Sequence, residues 1–199
     1  ASLVEHWPDD YYANVTAAVT GQLLGGGTSA ERFARKALAQ FPQDRNALRI
    51  LRDADLRRGD AAAARARYAL AFPEILEQES PRVDEVNYGA ALDLAIVLQK
   101  SGELERAAQL LEASERVSRR LPRLGFIGYG ITDARIHALR GDKAKALGAL
   151  REAEKAGWRG PLWRYYRDID SALDSIRSEP EFKVVFADTI SMSTYLVAF

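Results

Sequence analysis

The chain has 199 residues, 47 % of them apolar, which is enough to bury the core of one domain. Its 28 basic and 28 acidic side chains cancel, which disfavours nucleic acid and anionic membranes because both attract proteins with excess Lys and Arg. The lack of cysteine removes disulfides, zinc–thiolate sites and cysteine nucleophiles. The sequence contains no run of about 18 apolar residues, so no membrane-spanning helix is predicted. We therefore expect a soluble protein, cytoplasmic or periplasmic.

Alanine, leucine, arginine and glutamate dominate the chain, and β-branched residues are sparse. These are strong helix formers, so the composition predicts an all-α fold. The chain opens with Ala1 rather than with Met and shows no signal peptide. We expect an excised fragment or a processed chain.

Two helical hairpins are predicted in the first third of the chain. Asp10 lies at a helix start, where the helix dipole favours acidic residues. The glycine-rich run 25–29 predicts a turn, with Ser29 as the cap of the second helix, and Pro42 ends that helix. The second hairpin is predicted over about 44–71.

Two further hairpins and a different C-terminal segment follow. Residues 73–86 form a longer predicted connection. The third hairpin is expected over about 87–120 and the fourth over about 124–156. Residues 158–199 are rich in aromatic side chains, and we expect them to form a helical cap over the last hairpin.

Three of the predicted turns share one short phrase, in which a glycine is followed by an acidic residue and, five positions after the glycine, by alanine. Glycine ends a helix because it adopts the left-handed conformation easily. The small residue lets two antiparallel helices approach closely. The glycines are Gly59, Gly102 and Gly141, and the alanines are Ala64, Ala107 and Ala146.

This recurring helix-turn-helix unit resembles the tetratricopeptide repeat, whose unit spans 34 residues. The resemblance covers about residues 9–157, with steps of 34, 43 and 39 residues between Gly25 and the three later glycines. Two of these steps are longer than the family's, and Arg52 stands where the family has a small residue. The resemblance implies an α-solenoid with a right-handed superhelix, in which residues 1–157 form four divergent hairpins and residues 158–199 complete the same structural domain.

In that family the first helices of the hairpins line a concave groove that holds a peptide or a helix. The corresponding residues here mix apolar, basic and acidic side chains, which suits a partner segment with an apolar stripe and an acidic end. The candidate peptide-binding residues that the resemblance implies are Tyr12, Val15, Val19, Asn46, Arg49, Asp53, Arg57, Leu92, Ile96, Gln99, Lys100, Ile131 and Arg135.

We therefore expect a protein–protein interaction module, not an enzyme, with no cofactor and no metal. The pattern from Trp163 through Asp170 to Phe182 resembles the C-terminal ends of repeat regions in large bacterial signalling proteins. That resemblance implies one part of a larger regulatory protein. The alternative is structural self-association, for example as a homodimer, with the apolar residues 195–199 as the docking surface.

Two motifs could suggest a metal or phosphate site, but simpler explanations are favoured. His6 and His137 are the only histidines, and isolated histidines without cysteine rarely hold zinc. The run 25–29 contains glycines and hydroxyls but lacks the lysine of a phosphate-binding loop, and no strand precedes it. We expect a packing or surface role for the histidines and a turn at the glycines.

Clusters of charged and aromatic residues are also expected to have solvated or structural roles. Paired acids are expected to be solvated or to begin helices, since nothing in the sequence separates their pKa values. A basic patch near a helix end is expected to be solvated, and an aromatic cluster is expected to pack within the cap. The acids are Asp9 with Asp10 and Asp168 with Asp170; the patch is Arg116, Arg119, Arg120 and Arg123; the aromatic cluster is residues 163–166.

Overall fold

A computed structural model of the chain describes residues 3–76, 80–121, 131–158 and 162–187. These residues are mostly helical and none of them forms a strand, so the predicted all-α class is confirmed. They belong to two compact units, 1–114 and 115–199. No helix within the described ranges is long and apolar enough to cross a bilayer. The predicted start of the fourth hairpin at 124, Arg123 and the apolar end 195–199 lie outside the described residues.

The first unit is built from helices that pack mostly on helices close to them in the chain. Helix α2 contacts α3 and α4, α4 contacts α5, and both α4 and α5 contact α7. The helices are α1 (Leu3–His6), α2 (Tyr11–Leu23), α3 (Gly27–Gln40), α4 (Arg45–Arg57), α5 (Ala61–Ala71), α6 (Pro73–Leu76), α7 (Tyr88–Lys100) and α8 (Leu104–Ser118), whose last residues belong to the second unit.

The second unit contains a hairpin followed by short aromatic helices. Helix α9 (Ile131–Leu139) packs on α10 (Lys143–Lys155) and on the 3₁₀ turn Ser171–Leu173. Helix α11 (Trp163–Asp168) and helix α12 at 180–187 complete the described part. Buried residues of the hairpin and of the segment after it form one core, which includes Leu150, Trp158, Leu173, Phe182 and Phe186.

Aspartates begin several helices, as the sequence predicts. The Asp10 carboxylate accepts a hydrogen bond from the Ala13 N–H, and Asp60 does the same for Ala63. Such a bond satisfies a backbone donor that the helix itself leaves free. The prediction for Ser29 is wrong: the cap of α3 is Gly26, three residues earlier, and the Ser29 hydroxyl, within the first turn, donates to the Gly26 carbonyl.

The recurring alanines are buried, as close helix approach requires. Ala64, Ala107 and Ala146 are each 0 % exposed. In the first hairpin, Ala30 and Ala34 of α3 lie with Ala18 of α2 in one core cluster. Larger side chains at these positions would force the helices apart, since protein interiors are already close-packed.

The predicted helix-ending glycines adopt the left-handed conformation. Gly141 has φ of +79°, and the next residue's N–H, at Asp142, donates to the His137 carbonyl at 2.9 Å. Gly59 and Gly102 repeat this geometry with φ of +76° and +82°. The turn satisfies carbonyls at the end of the first helix and reverses the chain into the next one.

We expect Gly141→Ala to lower the free energy of unfolding by about 1 kcal/mol, because alanine is strained at positive φ. Gly148→Ala is the matched control inside α10, where an added Cβ would meet no atom within 4 Å. It should raise stability by up to about 1 kcal/mol through helix propensity. Urea unfolding followed by circular dichroism measures both, and shifts of the same sign would contradict the assigned turn.

Candidate functional site

Some of the thirteen candidate groove residues are accessible, either exposed or half-buried, and the others are buried. Tyr12 is 76 % exposed, Arg57 and Lys100 are exposed, and Val15, Val19, Asn46 and Gln99 are half-buried. Six others are buried: Arg49, Asp53, Leu92, Ile96, Ile131 and Arg135. Leu92, Ile96 and Ile131 therefore lie in the protein interior. The peptide-contact role of the set stays a prediction, and its accessible members are the ones that a partner can reach in this structure.

Two members of the set, Asn46 and Arg49, line a pocket of about 770 Å³ in the first unit. We call it the α4 pocket, because its wall begins with the turn before α4 and continues along the first turns of that helix. Its apolar wall comes from Tyr11, Phe41 and Leu70. Phe41 is 55 % exposed and Leu70 is 81 % exposed, so the lining includes two large apolar side chains that face solvent.

A hydrogen-bonded aromatic pair forms one side of the α4 pocket. The Tyr11 ring lies 4.4 Å from the Phe41 ring between centroids, and its hydroxyl donates to the Asp44 carboxylate at 2.6 Å. Burial and this bond to Asp44 raise the pKa of Tyr11 to about 12. At neutral pH the phenol therefore stays protonated and holds Asp44, which also caps α4 by accepting from the Ala47 N–H.

Arg45, at the start of α4, is a positively charged residue of the α4 pocket lining. It forms no ion pair with any described residue, although its guanidinium lies 5.8 Å from the centre of the Tyr88 ring. Its Nε is buried without a hydrogen-bond acceptor among the described residues. A Cβ added at Gly89 would lie 1.8 Å from the Arg45 Nη2, so the guanidinium occupies the space that a side chain at Gly89 would fill.

A network of buried charges lies behind Arg49. The Arg49 Nε is 3.5 Å from Asp93, and Arg52 lies 2.8 Å from Asp93 and 2.6 Å from Asp53. Gln22 of α2 donates to Asp53 at 3.0 Å. The network thus ties α2, α4 and α7 together with two cations and two acids, and explains why an arginine replaces the expected small residue at Arg52.

Tyr68 of α5 lies beside these charges and is 2 % exposed. Burial, and then the negative charge of Asp93, raise the pKa of its hydroxyl. The hydroxyl has no hydrogen-bond partner among the described residues. Tyr68 is therefore a neutral packing residue against the ionic network.

A second buried ion pair stabilises the second unit. The Arg135 Nε lies 2.6 Å from Asp170, and both side chains are almost fully buried. Asp170 also accepts from the Ala172 N–H and so begins the 3₁₀ turn. Asp170 was expected either to be solvated or to begin a helix, and the structure shows that it begins one. Its buried pairing with Arg135 is a further structural role.

The other charged and aromatic candidates occupy structural positions. Glu115 pairs with Arg119 and Arg140; burial opposes ionisation, but these cations lower the pKa of Glu115 overall. Tyr165 is buried, and Trp163 and Tyr166 pack against the core of the second unit. Among the described residues, no group of His, Asp and Glu has the arrangement of a metal site.

Apart from Asn46 and Arg49, the sequence-based set missed the lining of the α4 pocket, including Phe41, Arg45 and Leu70. The family register assigns contacts to one face of each first helix, whereas these residues lie at helix ends. An indication was available, because Phe41 and Leu70 are large apolar residues that fall outside the repeating buried positions. Comparison with models of known protein families gives no match for the chain, and comparison with curated proteins gives none either.

We expect Arg52→Met to lower the free energy of unfolding by about 3 kcal/mol or more, because it leaves buried Asp93 and Asp53 with less compensating charge. Arg35→Met is the control, since Arg35 pairs with Glu31 on the surface and is 56 % exposed. That substitution should cost less than about 1 kcal/mol. Thermal and urea unfolding measure both, and equal losses would show that the buried network has no special role.

Proposed function

We propose that the chain is a protein-interaction module of tetratricopeptide-like hairpins, and that it binds a segment of a partner protein at the α4 pocket. The observation that carries the proposal is the pair of solvent-facing apolar side chains, Phe41 and Leu70, in the lining of a pocket that also holds polar groups. Large apolar side chains beside a concavity are typical of sites where a partner residue is anchored.

The packing order of the first unit supports the solenoid part of this proposal. Hairpin α2–α3 packs through α3 on α4, and hairpin α4–α5 packs on α7. Consecutive hairpins that contact their neighbours along the chain are the arrangement of α-solenoids. The short helix–Gly–acid–helix turns and buried alanines support the same interpretation.

The chemistry of the α4 pocket favours binding over catalysis. Apart from Arg45, a cation that stays protonated at neutral pH, its titratable groups serve structural contacts, since Tyr11 donates to Asp44 and Arg49 faces Asp93. A catalytic acid or base must itself lie free, within hydrogen-bond reach of the substrate atom that gives or takes the proton. The regulatory context inferred from the C-terminal pattern stays a prediction.

The test is selection of peptides from a displayed random dodecapeptide library on the immobilised full chain, followed by affinity measurement of a recovered peptide by fluorescence anisotropy. Leu70→Gln should weaken binding about tenfold, as expected for losing one buried aliphatic contact. Folding should be unaffected, because Leu70 is 81 % exposed.

Leu24→Gln is the matched control, since Leu24 is 72 % exposed but does not line the pocket. This variant should bind the peptide as the parent chain does. Failure to enrich any peptide, or enrichment of peptides that bind Leu70→Gln with unchanged affinity, would overturn the assignment of the α4 pocket.

A further inference from the structure

We infer that Arg45 makes the α4 pocket selective for partner segments in which an Asp or Glu side chain lies next to the bulky apolar residue that enters the pocket. The inference rests on the proposed function and names the chemistry of the partner. It concerns a side-chain carboxylate within the segment, recognised by the Arg45 guanidinium.

Arg45 differs in its charge partners from the other charged residues of the α4 pocket. The negative charge of Asp44 is already engaged, because one oxygen accepts from the Tyr11 hydroxyl at 2.6 Å and the other from the Ala47 N–H at 2.7 Å. It also lies at the N-terminus of α4, where the helix dipole offsets a negative charge. Arg49 faces buried Asp93. Arg45 is thus the cation of the pocket wall without an acidic partner among the described residues.

The Arg45 side chain is held in a defined position. The Arg45 guanidinium rests against the Gly89 backbone, where a Cβ would come within 1.8 Å of Nη2 and 2.3 Å of Cζ. Part of the side chain is therefore held by α7 and by the Tyr88 ring rather than moving freely in solvent. A cation held in place loses less conformational entropy on binding than a free surface arginine does.

The other residues of the α4 pocket lining also suit a carboxylate beside an apolar side chain. Asn46 lines the same pocket, and its side-chain amide has no hydrogen-bond partner among the described residues, so a second donor is available. Phe41 and Leu70 would be covered by the apolar residue of the partner. Excluding water there strengthens the attraction between a guanidinium and a carboxylate, which pair through two parallel hydrogen bonds.

The experiment repeats the library selection on the parent chain, on Arg45→Gln and on Arg45→Glu. The parent should enrich peptides with Asp or Glu beside an aromatic or aliphatic residue. Arg45→Gln should keep the apolar preference and lose the acidic one, and Arg45→Glu should select Lys or Arg instead. Displayed peptides are joined to the coat protein through their C-terminus, so an enriched carboxylate belongs to a side chain.

A double-mutant cycle then measures the contact itself. A synthetic, C-terminally amidated peptide recovered on the parent should bind Arg45→Gln about tenfold more weakly, and changing its acid to the amide should cost the parent the same factor. Combining both changes should add little further loss, because they remove one interaction.

Gly89→Ala provides a variant that keeps the charge and displaces the guanidinium. Helix propensity favours alanine at this position, so the chain should stay folded, as circular dichroism would verify. Affinity for the acidic peptide should fall while affinity for its amide counterpart stays the same. Independent losses in the cycle, or no acidic enrichment on the parent, would overturn the role of Arg45. If Leu70→Gln still weakened peptide binding in that case, the proposed function would stand without the role of Arg45.

Discussion

The structure depends on the close approach of antiparallel helices at buried alanines. Ala64 and Ala146 have no exposed surface, and neither has Ala34 of the first hairpin. Small side chains at these contacts bring helix backbones near each other, and the larger residues between them fill the remaining space. Left-handed glycines such as Gly141 make the reversals short enough for this packing. Without both features, the apolar faces of these short helices would stay in water, and helices of this length are marginal by themselves.

Such tight packing makes the charged interior of the first unit notable. Arg52 and Asp93 are almost completely removed from water, and each is compensated by the other. Two opposite charges in this position contribute little net stability compared with apolar residues of the same size, but removing one of them is costly. The network joins α4 to α7, because Arg49 and Arg52 of α4 both pair with Asp93 of α7.

Residues that stabilise the fold of the first unit also shape the α4 pocket. Arg49 has one side in the pocket and the other toward Asp93. Asp44 caps α4 and also binds Tyr11 at the pocket wall. These groups have structural partners, whereas within the described residues the side chains of Arg45 and Asn46 have no ion pair or hydrogen bond, and Phe41 and Leu70 are exposed. The proposed binding specificity therefore rests on these four residues.

The sequence alone determined the local structure: composition predicts helices, aspartates mark their starts, and glycines with downstream alanines mark hairpins, because each depends on residues close along the chain. It also identified Arg52 as an exception to the repeat. Only the tertiary structure showed why, since Asp93 lies 41 positions away in sequence yet 2.8 Å away in space. The α4 pocket was likewise decided by packing. Its wall combines residues from 11 to 71, and the guanidinium of Arg45 is placed by the missing side chain of Gly89.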